Sequence, residues 1–159
     1  MSERPMEAIE RITSFCVNHD TIEKGIYVSR IDGDIVTYDL RTRIPNAGDY
    51  MDSVTMHSME HMFATYVRNS AYGDRVIYFG PMGCRTGFYL LMRDLSNEEV
   101  LSLVKETLAR IAAHTGGMFG ASRQECGNYR ELSVESAKRE ASAYLAVLEA
   151  KEQTFAYPQ

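Results

Sequence analysis

Between Ser53 and Asn69 the chain runs SVTMHSMEHMFATYVRN. Met56, Met59, Phe63 and Val67 recur at the spacing of one helical face, with Met62 and Tyr66 beside them. The run therefore predicts a helix from about Val54 to Asn69, buried over much of its circumference, with Ser53 as its N-cap. His57 and His61, four residues apart, share one face of such a helix, where two ring nitrogens can converge on one metal ion. Glu60 stands one position before the second histidine and completes the HxxEH order, close enough to act on a metal-bound ligand. Burying these groups among methionines and aromatics is costly unless each has a strong partner, which a metal supplies. The plainer alternatives are a histidine pair that hydrogen-bonds or faces solvent, and methionines that simply pack the core. A third ligand has to come from elsewhere.

Outward from this helix the pattern alternates. Upstream, Gly25 to Arg30 and Ile35 to Leu40 are β-rich runs joined by Ile31-Asp32-Gly33-Asp34, whose Asp-Gly pair suits a hairpin. Met6, Ile9 and Ile12 behind Pro5 predict a short helix over residues 5–13. Downstream, Arg75 to Phe79 and Phe88 to Met92 read as strands, joined by Gly80-Pro81-Met82-Gly83-Cys84-Arg85-Thr86-Gly87. The glycines and proline constrain that loop, which presents Cys84 at a sheet end. Ser96-Asn97-Glu98-Glu99 is a capping box for a helix ending near Gly116-Gly117, and a last helix runs from about Val134 to Lys151. Between them, Gln124 to Asn128 form a polar turn in which the Cys126 thiolate can reach a metal. The order of elements predicts an α+β domain, helices packed on an antiparallel four-stranded sheet, with room for a dimer interface.

Composition narrows the function. A chain of 159 residues, 45% apolar and 25% charged, fits one globular domain. A net charge of -5 without a basic cluster disfavours nucleic acid as a partner. The acidic N-terminus and the lack of a long apolar run predict a cytoplasmic protein with no membrane partner. Three cysteines, Cys16, Cys84 and Cys126, are too few and too widely spaced for a disulfide framework or a CxxC zinc knuckle, and suit reduced thiols.

Several stretches, in this order, resemble one family. They are Ser14-Phe15 through His19, Asp39-Leu40-Arg41 with Pro45-Asn46, His57 through His61, and Pro81-Met82-Gly83-Cys84-Arg85-Thr86-Gly87-Phe88-Tyr89, followed by Cys126-Gly127. Together they are similar to the S-ribosylhomocysteine lyases, the LuxS autoinducer-2 synthesis family. The resemblance implies a metallopeptidase-like fold in a homodimer with active sites at the subunit interface. Residues 1–13 would be an extension and 14–159 a single metal-dependent lyase domain. It implies a divalent metal held by His57, His61 and Cys126 with water in the fourth position, the ligand count of a catalytic centre. Ferrous iron is the implied metal, with zinc or cobalt able to occupy the same ligands.

The implied reaction cleaves the thioether of S-ribosylhomocysteine to homocysteine and 4,5-dihydroxy-2,3-pentanedione. The sugar carbonyl must migrate through two enediolate steps, and a Lewis acid stabilises the developing charge. Cys84 would serve as base and then acid for carbon-bound protons, and Glu60 would shuttle protons among oxygens and assist the final β-elimination. Ser14, His19 and Arg41 resemble the family's sugar-side residues, and Arg68 the arginine that meets the homocysteine carboxylate.

The chain departs from the family at Tyr78, where an acidic residue would be expected to pair with the substrate amino group; Tyr78 brings no negative charge at neutral pH. Asn18 stands for an aspartate, Arg43 for a cysteine, and Ser58-Met59 for Thr-Leu. A lyase of this fold acting on a related ribosyl thioether is therefore one alternative. Another is an HxxEH metallopeptidase-like protein with Glu131 or Glu135 as third ligand. A third is a non-catalytic metal module closed by Cys84 or Cys16.

Overall fold

The computed structural model describes residues 9–158. Its first hairpin, β1 (Gly25–Asp32) and β2 (Ile35–Arg41), turns on Gly33 and Asp34 alone, because Asp32 already pairs with Ile35. Gly33 carries positive φ, 63°, and Asp34 does not, so the turn is of the Gly-X kind rather than the expected Asp-Gly kind. A second hairpin, β3 (Val76–Pro81) and β4 (Gly87–Arg93), pairs β4 against β2 and completes an all-antiparallel sheet in the order β1-β2-β4-β3. Both strands are longer than expected: Gly80, Pro81 and Gly87 belong to the ladder, and only residues 82–86 form the connection.

The glycines act differently from the sequence expectation. A Cβ on Gly87 would lie 2.5 Å from the Leu40 carbonyl oxygen, so this glycine allows β2 and β4 to approach closely. The left-handed residue of the connection is Arg85, with φ 64°, not a glycine.

Strand alternation sorts the sheet into two faces. Tyr38 and Leu40 of β2 and Phe88, Leu90 and Met92 of β4 are buried against the helices, with Tyr89 and Leu91 pointing to the other side, half-buried. On the core side lie α2 (Ser53–Arg68), α3 (Asn97–Ala112) and α4 (Val134–Ala150). The rings of Phe63, Phe79 and Phe88 stack in sequence at 4.2 and 5.0 Å between centroids and seat α2 on β3 and β4. α2 is not buried all round. Met59, Met62, Phe63 and Val67 face the core, whereas His57, Glu60 and His61 are half-exposed on the opposite stripe.

Three helix starts have local causes. Asp52, not Ser53, caps α2, accepting from the Thr55 amide at 2.7 Å. The capping box of Ser96 and Glu99 opens α3, and Ser133 caps α4. The helix expected over residues 5–13 falls partly outside the described residues; residues 9–12 are not helical, and α1 is the single turn Thr13–Cys16. Ile9 and Ile12 are exposed in this chain, so their spacing has no core to cover. At the other end, Phe155 forms a parallel bridge with Tyr27 beside β1, and Tyr157 stacks on the Tyr27 ring at 4.8 Å. Among the described residues no helix is long and apolar enough to cross a membrane.

Candidate active site

His57 and His61 stand one turn apart on α2, their rings perpendicular and 4.6 Å between centroids. Each has one nitrogen committed. His57 Nδ1–H donates to the Glu131 carbonyl at 2.9 Å and His61 Nδ1–H to the Phe119 carbonyl at 2.8 Å. A carbonyl only accepts, so these bonds set the tautomer and leave each Nε2 as a lone pair, the form a metal ligand needs.

The segment after α3 brings the third donor. Cys126 lies 3.3 Å from His57 Nε2, and one donor atom from each of His57, His61 and Cys126 falls within 4.8 Å of the other two. The Cys126 amide is tied to the Ser122 carbonyl at 3.0 Å, and Asn128 N–H points to the sulfur at 3.4 Å. Two oriented imidazoles and one thiol whose sulfur receives an N–H fit a divalent metal with an open position. Among the described residues no fourth histidine, cysteine or carboxylate joins the group, so neither Cys84 nor Cys16 closes it. Nor does a glutamate replace Cys126. The Glu131 side chain accepts from Ser53 and Asn128, and Glu135 is exposed in the first turn of α4. Glu60, half-buried and one position before His61, has no hydrogen-bond or ion-pair partner among the described residues, so its carboxylate is uncommitted there.

The second thiol is organised by the outer sheet face. Asp39 and Arg41 alternate with the core residues of β2 and are 1% and 2% exposed. Arg41 donates to both oxygens of Asp39, at 3.1 and 2.6 Å, and through Nη1 to Thr86 Oγ1 at 2.8 Å. Burial alone would lower the Arg41 pKa, but Asp39 and, more weakly, Cys84 outweigh it and raise the value. Because an arginine can only donate, Thr86 Oγ1 accepts from it, and the same hydroxyl hydrogen-bonds Cys84 Sγ at 3.0 Å. Tyr157 O–H, from the C-terminal tail, donates to Asp39 at 2.8 Å. Three of the five Arg41 N–H groups are thus committed inside the protein.

Cys84 opens into a cleft of about 280 Å³ lined by His19, Pro45, Asn46, Tyr50 and residues 83–86. The His19 side chain is steadied by the Val17 carbonyl at 2.9 Å, and Ser14 Oγ bonds Tyr89 Oη at 2.9 Å on the same sheet face. The connection is pinned to the start of α2 by the Met51 amide on the Arg85 carbonyl, 3.0 Å. From the Asp52 cap to His57 is about 8 Å of helix rise and to His61 about 14 Å, so the connection that bears Cys84 is tied to the same half of α2 that carries the imidazoles. Arg68, exposed, lies on the His57–His61 stripe about 10 Å beyond His61, outside either group.

Two departures from the family pattern have structural roles here. Arg43 forms a two-pronged ion pair with the buried Glu140 of α4, at 2.9 and 2.6 Å. Ser58, fully buried, accepts the Ser133 amide at 2.8 Å and anchors the start of α4.

A family model described as S-ribosylhomocysteinase (LuxS) matches residues 12–155. The chain belongs to the LuxS family. Curated LuxS relatives named S-ribosylhomocysteine lyase include one from Desulfotalea psychrophila, 42% identical over 86% of this chain and 89% of its own. Those of Clostridium acetobutylicum, 39% identical, and Finegoldia magna, 41%, each cover 95% of this chain and 100% of their own. What the sequence alone missed, set against these LuxS motifs, is the support. Thr86 sat unremarked inside the quoted Cys84 stretch, and the i, i+2 placement of Asp39 and Arg41 on one strand face was a usable signal. The carbonyls of Phe119 and Glu131 left none, since every residue has one.

Proposed function

We propose that this chain is an S-ribosylhomocysteine lyase, releasing homocysteine and 4,5-dihydroxy-2,3-pentanedione from a small thioether sugar. The observation that carries the reading is a tautomer-locked His57–His61–Cys126 cluster and an uncommitted Glu60 on α2, together with a second thiol held in its own cleft beside the start of that helix. Held by His57, His61 and Cys126, a divalent metal, taken as ferrous iron with zinc or cobalt as substitutes, supplies Lewis acidity toward sugar oxygens.

The protein's own groups move the protons. Cys84, aimed by the Thr86 hydroxyl and backed by Arg41, takes a carbon-bound proton and returns it to the neighbouring carbon, so that the carbonyl moves along the sugar. Glu60 relocates hydroxyl protons and then removes the proton from the carbon beside the sulfur-bearing one. That electron pair forms a new double bond, the C–S bond breaks, and homocysteine leaves as a thiolate protonated by the Glu60 carboxylic acid. The enol left behind tautomerises to the dione. No water or oxidant is consumed. Ser14 and His19 face the sugar, Arg68 takes the homocysteine carboxylate, and Arg41 acts on the sugar side through Thr86 and Cys84.

The working unit in this reading is a cytoplasmic homodimer with sites at its interface. Exposed Phe15 beside Ser14, and Tyr78, which pairs with Leu91 on the outer sheet face, support it. Anaerobically purified, iron-loaded protein should release homocysteine from S-ribosylhomocysteine, followed with a thiol reagent, and the Cys84→Ala protein should not. Equal release by both would remove Cys84 from the mechanism; no release by the unmodified protein with metal bound would overturn the substrate assignment. Tyr78, 51% exposed and with its phenol folded over Gly80, supports a second reading in which a related ribosyl thioether is the substrate. An analogue lacking the amino group should then turn over as well as S-ribosylhomocysteine, and strong preference for the amine would sink that variant.

A further inference from the structure

The fourth histidine, His114, is buried and takes no part in the chemistry above. It begins the irregular segment after α3 that carries Phe119, whose carbonyl orients His61. We propose that His114 and Tyr66 are positioning residues for His61, clamping residues 114–120 so that the Phe119 carbonyl holds the imidazole with Nε2 toward the metal. The inference rests on the reading of His61 as a metal ligand.

The hydrogen bonds of His114 are fully determined. Gly117 can offer only its carbonyl, so His114 Nε2 carries the hydrogen and donates to it at 2.9 Å. Nδ1 is then a lone pair, and Tyr66 O–H donates to it at 2.7 Å. Tyr66 lies on α2 five residues beyond His61, so this bond ties the segment to the helix that bears the ligand. The rings of Tyr66, His114 and Phe119 pack edge to face in all three pairings, at 5.8, 5.3 and 5.1 Å. Arg110 of α3 covers the Tyr66 ring at 4.5 Å, and Lys138 of α4 donates to the His114 carbonyl at 2.8 Å. Three helices therefore grip one short segment.

That segment needs a grip. It contains Gly116, Gly117 and Gly120, with exposed residues from 115 to 117, and glycine gives up more conformational freedom on ordering than any other residue. Its last glycine lies against the ligand: a Cβ on Gly120 would sit 3.3 Å from His61 Nδ1, and Gly120 has φ 62°. The backbone thus contacts the imidazole directly, and any drift of the segment reaches His61. The other imidazole has no such clamp; its carbonyl comes from Glu131, whose side chain is anchored by Ser53 and Asn128.

The test reads metal binding rather than turnover. Full-length apo-protein is titrated with Co2+ against a chromophoric chelator, and the visible spectrum of the cobalt protein is recorded. His114→Ala should weaken cobalt binding about tenfold, the lower end of the loss seen when a ligand's hydrogen-bond partner is removed, and alter the ligand-field bands. Tyr66→Phe, which keeps the ring packing, should move both readouts the same way by less. His114→Gln, whose amide can donate and accept, should restore most of the affinity. Cobalt affinity and spectrum unchanged in both His114→Ala and Tyr66→Phe, with only the thermal midpoint lowered, would assign the clamp a purely structural role and overturn the proposal. If the unmodified protein binds no cobalt, or His61→Ala binds it equally well, the ligand reading itself fails, a result distinct from failure of the clamp.

Discussion

The imidazole cluster and the Cys84 cleft are both tied to α2 but are held by opposite means. Backbone carbonyls from the irregular segments before α4 orient the imidazoles. The thiol of Cys84 is oriented by a buried ion pair on the sheet, relayed through one hydroxyl. The contrast follows from what each site has to do. A metal-ligating imidazole needs one fixed nitrogen lone pair, and a carbonyl on the other nitrogen fixes which one it is without adding charge. A thiol that gives and takes protons is served by a fixed cation, and a cation buried in a sheet needs its own counter-ion. Disturbing one region should therefore leave the other largely intact.

The sharpest separation comes from Cys84→Ala, which should lower homocysteine release by roughly a hundredfold to ten-thousandfold while metal content after desalting is unchanged. Loss of metal in that variant would show that the two regions are one. Next is Arg41→Met, which leaves Asp39 buried without its cation and should cost about 3–5 kcal/mol in urea unfolding. If Arg41→Met folds at reduced temperature, its cobalt spectrum should match that of the unmodified protein; an altered spectrum breaks the contrast. Tyr157→Phe removes one of the hydrogen bonds to Asp39 and keeps the ring stacked on Tyr27, for a loss of about 1–2 kcal/mol by the same assay.

The smallest effect belongs to the start of α2. Hydrogen bonds from the Thr55 hydroxyl and amide hold the Asp52 carboxyl below its ordinary value of 3.8. A lowered folded value means that the stabilisation is complete above the unfolded value and is lost as pH falls through the folded one. Asp52→Ala should cost about 1 kcal/mol at pH 7, and the gap between the two proteins should close only below about pH 4. A gap that stays constant down to pH 2 would remove the charged cap from the account.

Legibility in the sequence followed the range of the interaction. The α2 helix, both hairpins, the capping box and the His57–Glu60–His61 stripe rest on neighbours within a few residues, and each was readable from spacing. Cys126 was readable as a candidate because thiols are few, but its closeness to His57 is a contact across 69 positions. Over residues 9–12 the expected N-terminal helix does not form, because Ile9 and Ile12 show helical spacing without a surface to bury it on. Ser53 was read as the cap and Asp52 takes that place; both residue types cap well, and the choice depends on where the chain arrives from β2. Arg41 was matched as a substrate residue by its motif; that its guanidinium also holds Asp39 and Thr86 is a fact of burial that no local pattern carries.

By itself the sequence determined the kinds of element, their order, and the residue types capable of the chemistry, since periodicity, capping and donor type are local properties of a chain. Tertiary structure alone decided which carbonyls fix the imidazole tautomers, which arginine stands behind the thiol, and that Glu60 is left without a partner among the described residues. These depend on segments up to 118 residues apart meeting at hydrogen-bond distance, as Tyr157 meets Asp39, and backbone groups that every residue shares give no sign in the sequence of the one place where they are used.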